Sequence, residues 1–312
     1  MNKPFTIVGA GGAIAENLVR VLKKHNEPVR LVSRSGAFFP ECEIVKADAL
    51  NLQDLRKAIR GSRVVFIVIG LEYKLKVWQK YWPLIMNNII ESCASESVPV
   101  VFFDNVYMYG KVEGEMTESC PFNPVSKKGE VRAAIAKQFI NAYESGKIKG
   151  LIARSADFYG PYAEKTGFFH LMVLKNLLQR KSPQWMINSN LPHSLTFTGD
   201  AARALYLLAC DDSVWNQTWH LPTRSPALTG NELMLIASEL CQSKKKPMVL
   251  GRMLLQLLGL FIPAIKESME MLYQLEYSYI FNSDKFNRHF GNISISYEEG
   301  IRQSLDHIKT NS

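Results

Sequence analysis

The sequence is poor in the features that would place it in a special class. Its five cysteines, Cys42, Cys93, Cys120, Cys210 and Cys241, are odd in number, widely scattered and contain no C-x-x-C pair. That argues against a disulfide framework, a zinc site or a redox dithiol and for free thiols in a reducing compartment. No apolar run reaches the ~20 residues a membrane span requires. The most apolar stretch, residues 253–265, is interrupted by Gln256 and Pro263 and reads as a buried or substrate-facing helix. The opening Met1-Asn2-Lys3-Pro4 runs within a few residues into a strand-like stretch, without the apolar core of a signal peptide, so a cytoplasmic location is expected. Internal repeats and low-complexity segments are also lacking. Although the net charge is +8, the only dense basic run is Lys244-Lys245-Lys246, which reads as a solvated loop. The expected partners are therefore a small-molecule substrate and a second copy of the chain in a homodimer, with no nucleic acid and no membrane span.

What is present is the material for a sizeable core: 312 residues, 47% of them apolar. Short apolar runs at 5–9, 29–33, 43–46, 64–69, 100–104 and 151–155 alternate with helix-period segments at 13–25, 52–59, 77–95 and 128–144, and Asn51 is placed to cap the second helix. Near-continuous Val, Ile and Phe in the strands suits a sheet covered on both faces. The pattern predicts an α/β fold, a doubly wound parallel sheet with crossover helices. After Gly160 the character changes. Segments 168–179 and 200–210 are amphipathic, and proline- and tryptophan-rich irregular stretches surround them. The expected organisation is a dinucleotide-binding unit over 1–160, completed by about 191–222. A smaller, mainly helical substrate-binding region takes 161–190 and 223–312.

The first strand, Phe5-Thr6-Ile7-Val8, leads directly into Gly9-Ala10-Gly11-Gly12-Ala13-Ile14-Ala15, where a helix begins. A strand–glycine–helix unit sets backbone N–H groups and the positive end of a helix dipole against a pyrophosphate, and glycine permits the tight turn and close approach. At the end of the second strand, Val32-Ser33-Arg34-Ser35 has no carboxylate for a ribose 2′-hydroxyl. Arg34 there suits a 2′-phosphate, which favours NADP over NAD, against the alternative of an ordinary surface arginine.

The spacing Gly9-x-x-Gly12-x-x-Ala15 resembles the loop of extended and atypical short-chain dehydrogenase/reductases, with Ala15 in place of the third glycine. This is the NAD-dependent epimerase/dehydratase-like group, whose fold is of Rossmann type. The resemblance implies cofactor contacts from Gly9, Gly11, Gly12, Ala13, Ile14, Ser33 and Arg34, from the acidic turn Asp48-Ala49, and from Gly70 after the fourth strand. It continues through Tyr109-Gly110, through Arg154 to Pro161 and through Thr198-Gly199-Asp200, where Asp200 reads as a structural helix-start residue. The segments Asn282-Ser283-Asp284-Lys285 and Tyr297-Glu298-Glu299-Gly300-Ile301 are similar to C-terminal elements of sugar-nucleotide epimerases and dehydratases.

In this family a Ser or Thr after strand five and a Tyr-x-x-x-Lys helix move a proton to or from a substrate oxygen. Here Asn105 stands at the hydroxyl position, Lys128 replaces the tyrosine and Arg132 the lysine. An alternative register that keeps Lys128 as the family lysine puts Pro124 at the tyrosine position. Neither restores the phenol. Lys128 and Arg132 lie four apart at a helix start, where like charges repel and oppose the macrodipole. Either Glu130 and solvent screen them, or they face a cofactor ribose or phosphate and an anionic substrate group; Lys128 then doubles as a cofactor contact and a general acid. Tyr107, Tyr109 and Tyr159 are the phenols left to act, each with core packing as the competing role. His170 and His193 lack the company of metal ligands, and no metal is expected. The implied activity is that of an NADP-dependent oxidoreductase or epimerase on a small carbonyl or hydroxyl compound, with a nucleotide sugar as one candidate; loss of Tyr-x-x-x-Lys keeps open a non-catalytic NADP-binding sensor.

Overall fold

The computed structural model describes residues 2–36 and 39–310, so the outermost residues of the two expected regions, Met1 and Ser312, lie outside the described residues. In chain order the first half runs β1 (Phe5–Val8), α1 (Ala13–Lys24), β2 (Val29–Ser33), β3 (Glu43–Lys46), α2 (Leu52–Ile59), β4 (Val64–Ile67), α3 (Leu75–Glu96), β5 (Val100–Asp104), β6 (Glu115–Met116), α4 (Lys127–Glu144), β7 (Gly150–Arg154) and β8 (Asp157–Tyr159). There follow α5 (Lys175–Leu178), β9 (Gln184–Met186), β10 (Leu195–Phe197), α6 (Thr198–Cys210), β11 (Thr218–His220), α7 (Gly230–Leu240), β12 (Met248–Leu250), α8 (Arg252–Phe261), α9 (Pro263–Ser268), β13 (Ile280–Phe281), α10 (Asp284–Phe290) and α11 (Tyr297–Thr310).

Seven strands form one sheet in the order β11-β7-β5-β4-β1-β2-β3. All six pairings are parallel, with Ile7 opposite both Leu31 and Phe66. The two-residue period of a strand sorts its side chains between two cores. Phe5, Ile7, Val64 and Phe66 meet α1 and α6 on one face, whereas Val8, Val65 and Ile67 meet α2, α3 and α4 on the other. With helices on both faces this is the Rossmann-type sheet expected from the sequence, and α2 is capped by Asn51, whose side chain accepts from the amides of Gln53 and Asp54. The strand order reverses between β1 and β4. The crevice at their carboxyl ends is therefore the topological switch point, where ligands bind in open α/β sheets.

The third apolar cluster lies beyond the sheet and gathers Tyr159 of β8, Phe169, Trp185 of β9, Leu233 of α7, Leu255 of α8, Leu272, and Ile301 of α11. Two two-stranded parallel ladders, β8–β10 and β9–β12, brace it, and a third, β6–β13, belongs to a separate small cluster with Met108 and Tyr109; each is too short to show a strand period in the sequence. Most of the apolar segment 253–265 is exposed, contrary to burial, one of the two readings from the sequence. Only Leu255 and Gly259 of α8 are buried, while Met253, Leu260 and Phe261 are 85%, 76% and 77% exposed. Among the described residues no helix is long and apolar enough to cross a membrane.

One buried histidine joins the sheet to the C-terminal segment. His220 ends β11 and stacks on Phe281 of β13 at 4.1 Å. Its Nδ1 donates to the Asn282 carbonyl at 2.8 Å, which fixes the tautomer and leaves Nε2 to accept from the Tyr109 hydroxyl, also at 2.8 Å. The Tyr109 oxygen in turn accepts from Arg154 Nη1 at 2.6 Å. Burial is the main cause that holds the His220 pKa down at about 3 against the usual 6.5. Because the unfolded chain takes up this proton more readily, the contribution is intact above pH 6.5 and is lost as the pH falls from there toward 3. Denaturant unfolding from pH 7 to pH 5 is expected to show a slope of about 1 kcal/mol per pH unit from this residue. His220→Gln, which cannot titrate, should flatten it; an equal slope in the variant would show that His220 is not the source.

Candidate functional site

The glycine turn lies at the switch point. Gly9 follows β1 with φ +104°, and a Cβ on it would lie 2.7 Å from the Ile69 nitrogen, so only glycine lets this strand end pass beneath the segment that follows β4. Gly11 also has positive φ, at +94°. Gly12 precedes α1 in extended conformation, and no side chain caps that helix. A Cβ on Gly12 would meet only the Gly9 carbonyl, at 3.9 Å, and one on Gly70 would meet nothing within 4 Å. The result is an exposed cradle over an uncapped helix N-terminus, with the amides of its first turn free for an anion. These residues fit a dinucleotide pyrophosphate. Ala13 and Ile14 are buried, so they can offer backbone amides but not side chains. Ala15 is 2% exposed, consistent with a methyl group used for packing.

Around the cradle, Arg34 is exposed immediately after β2. The Ser33 carbonyl accepts from the Ala47 amide at 3.1 Å, tying the ends of β2 and β3 together. Asp48 shapes its own turn: Oδ1 accepts from the Leu50 amide at 3.0 Å. Asn88 of α3 holds the turn from behind through the Ala49 carbonyl at 2.9 Å.

The second half of the site centres on Lys128. Ser126 caps α4 by accepting from the Gly129 amide at 3.0 Å. A Cβ on Gly129 would lie 2.7 Å from the Tyr107 carbonyl, so glycine lets the first turn of α4 press against the turn after β5. Lys128 is thereby drawn under Tyr73, its ammonium 4.7 Å from the ring centre, and its side chain is only 1% exposed. Its Nζ donates to the Glu267 carbonyl at 2.8 Å, to Glu267 Oε2 at 2.8 Å and to Glu270 Oε1 at 2.9 Å. All three ammonium hydrogens are engaged. The same carboxylates serve two helix starts, since Glu267 accepts from the Leu75 amide of α3 at 2.9 Å and Glu270 from the Lys127 amide of α4 at 2.6 Å. The hydrogen bond from Lys128, together with these charges, holds Glu267 below the usual carboxylate range.

Neither way of compensating Lys128 and Arg132 expected from the sequence is what the structure shows. Glu130 is taken by Lys127 at 2.9 Å, Lys128 is compensated by Glu267 and Glu270, and Arg132 is compensated by Asp104. Arg132 Nε lies 2.8 Å from Asp104 Oδ1, and Nη2 donates to the same oxygen. The guanidinium also lies over the Trp82 ring at 4.5 Å and is 4% exposed, so it is built into the core rather than open to a ribose. Arg154 approaches the other Asp104 oxygen at 3.7 Å.

The three candidate phenols separate. Tyr159 is a core residue, 1% exposed, edge-on to Phe169 and Phe197 and packed on Gly300 of α11; the arrangement removes it from the site. Tyr109 belongs to the Arg154–His220 network, and burial pushes its hydroxyl up to about 12. Tyr107 stays near Lys128, stacks on Trp78 and accepts from the Tyr73 hydroxyl at 3.4 Å. Burial, reinforced by Asp157, raises Tyr73, Tyr107, Tyr273 and Tyr279 above the ordinary phenol range. Asn105 has a local task, because its Oδ1 accepts from the Tyr107 amide at 3.1 Å, leaving its NH2 group as the available donor.

Sequence reasoning missed Glu267, Glu270, Tyr73 and the pair His193 Nε2–Asp157 Oδ2, which are 3.0 Å apart. The usable signal was the uncompensated repulsion at Lys128 and Arg132, which required anions from elsewhere; those anions lie 139 and 142 residues away from Lys128 in sequence. Among the described residues no group of three or more His, Cys, Asp or Glu side chains is arranged to hold a metal.

Removing the partners of a buried ammonium is more damaging than removing the ammonium. Glu267→Gln/Glu270→Gln is expected to cost about 2 to 3 kcal/mol in denaturant unfolding, reduced from the fully buried case because both carboxylates keep some solvent. Lys128→Met should cost clearly less. The reverse order would mean that the ammonium is not held as described.

Residues 5–217 match the family described as NAD dependent epimerase/dehydratase family. No curated protein sequence matches the chain. Among solved structures, dTDP-glucose 4,6-dehydratase from Bacillus anthracis in complex with NAD is similar at TM-score 0.82 and 15% identity, covering 100% of this chain and 98% of that one. UDP-glucuronic acid 4-epimerase from Bacillus cereus, in complex with UDP-glucuronic acid and NAD, is similar at TM-score 0.81 and 15% identity, covering 99% and 100%. UDP-glucose 4-epimerase from Thermus thermophilus, a complex with NAD, gives 0.79 and 16%, covering 99% and 100%. At such identities the structural likeness establishes the fold, while the family match spans most of the sheet and the site. The chain belongs to the NAD dependent epimerase/dehydratase family, a family of enzymes.

Proposed function

We propose that this protein is a nicotinamide-dinucleotide-dependent oxidoreductase or epimerase acting on a carbonyl or hydroxyl compound of the nucleotide-sugar class, with a lysine at the place of the family's phenol. The observation that carries this reading is the exposed, uncapped glycine cradle at the switch point. Gly9, Gly11 and Gly12 and the first-turn amides of α1 would hold the pyrophosphate, and Asp48, Ala49 and Gly70 would flank the nucleotide. The structural relatives named above carry NAD. For this chain we favour NADP, because Arg34 is exposed at the end of β2 and the residues that follow it before Glu41 include no carboxylate.

The dinucleotide, when bound, supplies hydride transfer; the chain's residues handle the oxygen. Asn105 can donate from its NH2 group to a carbonyl oxygen. Lys128 carries protons where the family places its acid, and moving the Glu267 and Glu270 carboxylates aside would free one of them for a developing alkoxide. The nearby phenols are poor substitutes, since burial and carboxylate neighbours raise them away from neutrality. Full engagement of Lys128 favours a second reading, a non-catalytic NADP sensor in which that lysine serves only to fix the C-terminal segment.

Titration with NADPH and NADH tests the first step. NADPH is expected to bind more tightly, and Arg34→Ala to weaken it by roughly tenfold, the loss of about one charge-assisted contact. Equal affinity for both nucleotides would remove the NADP preference, and no binding of either would remove the function. Turnover of bound NADPH with nucleotide-sugar or simple carbonyl substrates should be lost in Lys128→Met while nucleotide binding persists. Binding without turnover in the unaltered protein selects the sensor.

A further inference from the structure

The outward face of α8 has the chemistry of a surface that meets lipid. Its exposed residues Met253, Leu254, Leu257, Leu260 and Phe261 recur at helical spacing, and at 100° per residue they occupy one continuous stripe. The buried positions, Leu255 and Gly259, lie on the opposite side. A helix that merely covers a core would be polar outside; this one is apolar outside and anchored by a short inner face. Ile262 and, upstream in β12, Met248 and Val249 are also exposed, so most of the large exposed apolar side chains of the described chain fall within one short segment.

Charge identifies the occupant. Between Glu239 and Glu267 the sequence has no aspartate or glutamate but contains Lys244, Lys245, Lys246, Arg252 and Lys266, all exposed. Of these, Arg252 is paired, with Glu276. A second copy of this chain docked through a two-fold axis would bring the basic strip against itself, a like-charge contact. An anionic bilayer surface supplies both complements: headgroups for the ammonium groups and acyl chains for the stripe. We propose that α8 is an interfacial helix that attaches the protein, without spanning, to membranes rich in anionic lipid. The basic run Lys244-Lys245-Lys246 and Lys266 flank the insertion.

Flotation or sedimentation of the full chain with vesicles tests this. Binding is expected to phosphatidylcholine vesicles that contain phosphatidylglycerol, to be much weaker with phosphatidylcholine alone, and to decline as salt is raised. Leu260→Ser/Phe261→Ser and Lys244→Gln/Lys245→Gln/Lys246→Gln should each reduce the bound fraction by about tenfold. Both alter exposed residues, and an unchanged thermal midpoint and unchanged NADPH titration would show that the fold and the cradle are intact. Absence of binding to the anionic vesicles, or binding unaffected by both variants, overturns the proposal. So does self-association in light scattering that Leu260→Ser/Phe261→Ser abolishes, because the stripe would then belong to a second copy.

Discussion

A buried ammonium has to be answered by anions, and the site is arranged around the answer to Lys128. Desolvating a lysine costs several kcal/mol unless hydrogen bonds and opposite charge replace water. Here one carbonyl and two carboxylates from the α9 region complete its coordination. Because Glu267 and Glu270 also satisfy the first amides of α3 and α4, one pair of side chains joins three elements that the chain order keeps far apart. The C-terminal segment is thus fastened to the starts of α3 and α4. Its other side is left without protein to cover it, which is why α8 shows its apolar stripe outward.

The two cations at the start of α4 are each answered by carboxylates from other elements: Lys128 by Glu267 and Glu270, Arg132 by Asp104. In the register we propose, Arg132 stands where the family has its lysine, and its charge is paired with Asp104 within the core. Without a free cation beside them, the phenols of the cleft feel burial and carboxylates, both of which raise their pKa values. Proton handling by these phenols near neutrality is therefore disfavoured, chiefly by their burial. What remains at the position is an ammonium whose availability depends on the placement of two glutamates.

The parts readable in the sequence were those set by local physics. Phe5-Thr6-Ile7-Val8 followed by glycines can form a strand and a tight turn wherever it occurs, and Asn51 caps α2 through amides two and three residues away. Those rules placed six of the seven sheet strands, the helices between them and the glycine turn; the three-residue edge strand β11 was not among them. The three two-stranded ladders were not readable, since each depends on a partner from a distant segment. The sequence left Tyr159 between chemistry and core packing, because a Tyr-Gly-Pro turn looks alike whether its phenol faces a cleft or α11; the structure has it packed. The burial expected as one reading of segment 253–265 did not hold, because apolar composition predicts burial whereas burial depends on which neighbours arrive. Glu267 and Glu270 stand in an unremarkable helical stretch, and only the charge imbalance at Lys128 and Arg132 pointed to them.

A crystal structure with NADPH bound would test the central claim most directly. The expected result has the pyrophosphate on the first-turn amides of α1, the 2′-phosphate beside Arg34, and the Lys128 ammonium turned from at least one glutamate toward the nicotinamide end. A nucleotide seated away from the glycine turn, or one bound there with Lys128 still held by both Glu267 and Glu270, would contradict the assignment of Lys128 to the chemistry.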